Sequence, residues 1–144
     1  MSQMFAPMGI GFALLLAACA SSREAPASHA NVETATAAAQ SWLSLVDEAK
    51  YGESWTAAAT NFKSAVTEAS WTGSVSGVRK PLGGVLSRKL AAAEFKTALP
   101  GAPDGKYVVI QFNTSFEKKA QAVETVTPMQ EPDGSWKVSG YFIK

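Results

Sequence analysis

Cysteine and histidine are nearly missing from this chain of 144 residues, which has one of each, Cys19 and His29. A single cysteine excludes an intrachain disulfide and any cysteine-rich zinc site. Catalytic triads and histidine metal clusters need a positioned imidazole, and His29 sits in a small-residue segment outside any periodic stretch. No metal and no cofactor is therefore expected. Charge of one sign is also lacking: 13 Lys and Arg against 12 Asp and Glu leave a formal +1, which gives no reason to expect nucleic acid as a partner. There is no internal repeat. Gly83-Gly84 and Gly101 lack phosphate-loop spacing, and no serine or threonine stands in a nucleophile elbow. The longest apolar run, Met8 to Ala18, is about eleven residues, roughly half of what a membrane-crossing helix requires. What remains is a chain with 47% hydrophobic residues and room for one domain.

That short run suits the apolar centre of a secretory signal, with Ala17 and Ala18 small enough for a signal-peptidase cleft. A cysteine follows directly, and Leu16-Ala17-Ala18-Cys19 resembles the bacterial lipobox. The resemblance implies cleavage between Ala18 and Cys19 and acyl chains on Cys19. It also implies a place in the bacterial envelope. Ala20, small and neutral, implies passage to the outer membrane, facing the periplasm. One departure is the absence of Lys and Arg from Met1 to Pro7, since the first charged side chain is Arg23. Each buried methylene contributes about 0.8 kcal/mol, so two or three chains on one residue hold a protein to a bilayer almost permanently. Residues 1–18 thus read as signal, and 19–31 as lipidated cysteine and flexible tether. Residues 32–144 read as one globular domain.

Within that domain, Val32, Ala35, Ala39, Trp42, Leu43 and Val46 recur at three- and four-residue spacing, one apolar helix face with Asn31 as N-cap. Gly52 is expected to end or bend this helix near Tyr51. A second stretch carries Trp55, Phe62 and Val66, with a break near Thr60-Asn61. A third carries Trp71, Val75, Val78 and Leu82, closed by Pro81 and the glycines after it. Strand punctuation follows. Val85 to Leu99 reads as a strand, and Pro100 to Gly105 as a loop. Val108, Ile110, Phe112, Thr114 and Phe116 alternate as one face of the next strand. Lys118-Lys119 marks a turn before β-rich Ala120 to Met129, and Glu131-Pro132-Asp133-Gly134 fits a type I turn with a bulge. In the last strand Trp136, Val138, Gly140 and Phe142 share a face. The sum is α+β: two or three helices on one face of a roughly four-stranded antiparallel sheet.

Glu124 is the carboxylate of most interest. Its strand face holds Ala120, Ala122 and Val126, and the other holds Val123, Thr125, Thr127 and Met129. Val123 and Met129 fill a core better than alanines, which puts Glu124 in solvent on the outer face. The opposite assignment buries a carboxylate among small residues beside room for a ligand, where desolvation would fit it for acid or base work. Trp42, Trp55 and Trp136 could line such a cleft, although their periodicity puts them first in the core. The pairs Arg79-Lys80 and Arg88-Lys89 offer contacts for an anionic headgroup or glycan, or simply solubilising charge. Asp47 and Glu48 are neighbours about 100° apart on a helix and do not make a catalytic carboxylate pair.

The run Ala39 to Asp47, then Tyr51, Ser54-Trp55, Phe62-Lys63, Val78 to Gly83 and Asp133 to Tyr141, resembles the bacterial envelope family called domain of unknown function 4019. That resemblance supplies a domain boundary and no activity. The order of helices then sheet also looks like the cone-shaped folds of cystatin and nuclear-transport-factor type, an analogy of fold alone. The residues favour a membrane-tethered domain that binds an envelope protein, a glycan or a small ligand without chemistry. The alternative is a small enzyme using Glu124 in a pocket between helices and sheet.

Overall fold

A computed structural model describes residues 26–144; the expected signal, the Ala18–Cys19 junction and the first part of the expected tether lie outside the described residues. Four helices come first, α1 (Pro26–Asp47), α2 (Tyr51–Thr56), α3 (Thr60–Ala65) and α4 (Glu68–Leu82). Four strands follow, β1 (Val85–Lys96), β2 (Tyr107–Phe116), β3 (Lys119–Gln130) and β4 (Trp136–Ile143). They pair in sequence order as one antiparallel sheet. The fold is α+β, as the hydrophobic periods predict.

α1 begins at Pro26, well before the expected cap at Asn31, so the last part of the predicted tether is helical. Proline is tolerated in a first helical turn, and the alanines after it favour continuation. The buried stripe of Ala35, Ala39, Trp42, Leu43 and Val46 agrees with the sequence reading. α1 touches all four strands. It stops without the help of Gly52. Ala49 takes a left-handed φ of 59° and donates to the Val46 carbonyl at 3.1 Å, while Lys50 donates to that of Leu45 at 2.8 Å. This is a Schellman ending with alanine where glycine is usual. α4 is capped by Thr67, whose hydroxyl accepts from the Ser70 amide. Its buried face is Trp71, Val75 and Arg79, whereas the expected Val78 is 50% exposed.

The β2 face of Val108, Ile110, Phe112, Thr114 and Phe116 is buried as predicted. Gly134 takes the left-handed position of the β3–β4 turn, φ 88°, and donates to the Glu131 carbonyl. Two strand faces differ from expectation. Glu124 pairs with Phe112, so it lies on the helix side of the sheet and is fully buried. In β4, Gly140 pairs with Thr127 but Val138 with Pro128, which leaves Ser139 as a bulge. A bulge inverts the alternation. Beyond it Tyr141 and Ile143 pair with Val126 and Glu124 on the inner face, and Phe142 turns outward, 51% exposed.

Candidate functional site

The inner-face residues at the α1 C-terminal end of the sheet are polar, and they meet in one network. Arg88 of β1 pairs across the ladder with Thr114, Phe112 with Glu124, and Glu124 with Ile143, so register alone brings Arg88, Thr114 and Glu124 together. Asp47 arrives from the last turn of α1 and Arg79 from α4. Arg88 donates through Nε to Glu124 at 2.7 Å, and through both Nη atoms to Asp47 at 2.7 and 3.0 Å. Arg79 Nη2 donates to Asp47 at 2.8 Å. The Thr114 hydroxyl donates to Glu124 at 2.6 Å and the Tyr141 hydroxyl at 2.5 Å.

Two carboxylates therefore face two guanidinium groups, and the cluster is formally neutral. Each buried charge has a partner, the condition under which burial is tolerated. The Arg88 fork explains its choice over lysine, since one planar cation serves two carboxylates at once. Burial alone would raise the Asp47 pKa, but the hydrogen bonds and charges of Arg88 and Arg79 outweigh it and hold the carboxyl below its ordinary range. For Arg88, burial works against the charge and the bonds to Asp47 and Glu124 prevail, so its pKa is raised. The Tyr141 phenol is pushed well up, by burial first and then by the Glu124 charge and hydrogen bond. It stays a donor across the physiological range.

Arg79 has a second kind of support. Its guanidinium lies over the Phe116 ring, 5.0 Å from the centroid, while Nε and Nη1 are buried without a hydrogen-bond acceptor among the described residues. The aromatic face takes part of the role that an acceptor would fill.

The sequence-predicted site residues separate. Arg79 and Arg88 turn inward to the network, whereas Lys80 and Lys89 are exposed. The basic pairs thus do not act as one anionic contact. Trp42 donates to the Ser54 carbonyl and packs edge-on against Tyr141 at 5.3 Å. Trp55 donates to the Val66 carbonyl, and Trp136 is buried in the main core. A depression of about 320 Å³ between α1 and β4 touches Trp42 and Trp136, but neither Trp55 nor Glu124 lines it. The tryptophans are core residues, and they form no common cleft with Glu124. Cys19 lies outside the described residues.

Thr114 and Tyr141 were not singled out by sequence, and Asp47 was weighed only as a neighbour of Glu48 and set aside. Asp47 follows Leu43 by four residues and so extends the line of the buried α1 stripe to its rim, a spacing that does carry a signal. Arg79 follows Val75 in the same way. Tyr141 carries none, because its side depends on the bulge. Among the described residues no group of His, Cys, Asp and Glu could hold a metal ion. No helix among them is long and apolar enough to cross a membrane.

No curated protein matches the chain. The family model described as "Protein of unknown function (DUF4019)" matches residues 38–141, a span that takes in every member of the network. With most of its length inside that match, the chain belongs to the DUF4019 family of proteins of unknown function.

Proposed function

We propose that this protein is a lipid-anchored component of the bacterial cell envelope whose folded domain binds a partner and carries out no chemistry of its own. The observation that carries the non-catalytic part is the closure of Glu124. One oxygen accepts from Arg88 and Thr114, the other from Tyr141, and the side chain has no exposed surface. Glu124 lines none of the principal surface depressions. A general acid or base must come within hydrogen-bond reach of a substrate proton, and this carboxylate has no such approach. That weighs against the enzyme alternative and makes the network a means of fixing α1, α4 and the sheet to one another.

The anchor rests on Leu16-Ala17-Ala18-Cys19, and Ala20 supports an outer-membrane address facing the periplasm. Replacement Cys19→Ser tests it in a host that processes lipoproteins. The wild-type chain should incorporate radiolabelled palmitate and fractionate with membranes, and the variant should do neither. Undiminished labelling of the serine variant would remove the anchor from this reading.

A further inference from the structure

The outer face of the sheet, opposite the buried network, has a groove of about 690 Å³ across β1, β2 and β3, with Lys144 at its β4 side. One ladder row crosses it: Lys89 pairs with Asn113, and Asn113 with Val123. Val123 exchanges two 3.0 Å backbone hydrogen bonds with Lys144. Adjacent strands lie about 4.8 Å apart, so the two lysines stand about 14 Å apart at their backbones. Ser115 and Gln121 also line the groove, and no carboxylate side chain does. Neither lysine is in an ion pair among the described residues. Phe142, half exposed, lies under the Lys144 ammonium at 5.8 Å.

We propose that this groove binds an acidic oligosaccharide. Unpaired ammonium groups on either side fit carboxylates carried on separate sugars. Between them the Asn113 and Gln121 amides and the Ser115 hydroxyl both donate and accept, as sugar hydroxyls require. The position of the site selects a soluble glycan over a lipid headgroup, and here the inference rests on the anchor reading above. Lys89 adjoins Arg88, which binds Asp47 at the C-terminal end of α1. The tether enters at Pro26, the other end of a helix of 22 residues, about 33 Å away. The stretch from Cys19 to Pro26 reaches about 25 Å at most. When the domain stands on end over its tether, the groove is at the membrane-distal end.

The test titrates the full lipidated chain, in a neutral detergent, with tetragalacturonate and with the neutral tetramer of N-acetylglucosamine. Amide shifts and calorimetry are the readouts. The acidic tetramer should shift Lys89, Asn113, Gln121 and Lys144 saturably and bind at least tenfold more tightly than the neutral one. Lys89→Glu with Lys144→Glu should weaken it tenfold or more without changing the thermal midpoint. Absence of shifts on this face, equal binding by the double variant, or displacement by phosphatidylglycerol added to the detergent micelles would each overturn the site. Shortening of the tetramer, seen by mass spectrometry and abolished by Glu124→Gln, would instead overturn the non-catalytic reading itself.

Discussion

Removing Glu124 leaves two guanidinium groups on the one carboxylate of Asp47, and removing Arg88 leaves Glu124 with hydroxyl donors alone, whereas removing both keeps the network neutral. Glu124→Ala should therefore cost about 3–5 kcal/mol in urea denaturation, and Glu124→Leu with Arg88→Met should recover most of that loss. Additivity of the two single changes to within about 0.5 kcal/mol would show that the pair is not coupled. Tyr141→Phe keeps the ring against Trp42 and Trp71 but leaves one Glu124 oxygen without its donor. It should cost about 1–3 kcal/mol by the same measurement. These residues were only partly legible. The inward side of β3 was argued from volume, Val123 and Met129 against alanines, and volume chose wrongly. What decides is charge pairing from other strands: Arg88 and Thr114 fill the space that the small residues leave around Glu124.

Elements were easier to read than their irregularities. The twofold period of β2 and the Gly134 turn appear directly in the chain, because local pattern and local turn chemistry determine both. The bulge at Ser139 does not, since it exists only in the pairing with Thr127 and Pro128. The Ser139 hydroxyl donates to the Thr127 carbonyl at 2.8 Å, a cross-strand bond that a single-strand pattern cannot announce. The α1 terminus is another such case. An L-residue in the left-handed region costs about 1–2 kcal/mol, part of which glycine gives back through its freer unfolded chain. Ala49→Gly should therefore stabilise the domain by about 1 kcal/mol and raise the thermal midpoint by about 3–5 °C. A lower midpoint in calorimetry would mean that the Schellman ending carries no strain.

At the scale of the molecule, the order of helices then sheet was legible because the period changes once, at Gly84. The network that ties those layers together was not, since its members stand at positions 47, 79, 88, 114, 124 and 141. Its acid–base behaviour should appear in global stability. Asp47 has a folded value below its unfolded 3.8, so its contribution is complete above that pH and is lost as pH falls through the folded value. Tyr141 has a folded value above its unfolded 10.0, so its contribution is complete below that pH and is lost on the alkaline side. Urea midpoints should be flat between about pH 5 and about pH 9 and fall on both sides. Asp47→Asn should flatten the acid limb, and an unchanged acid limb would assign it to other carboxylates. The last strand carries one more implication. Chains emerge N-terminus first, and α1 is made long before Tyr141 and Ile143, which close its polar end. Until β4 is out, the apolar stripe of α1 and the Glu124 carboxylate have no complete shelter. A partly emerged chain thus cannot complete the buried network before its last strand is made.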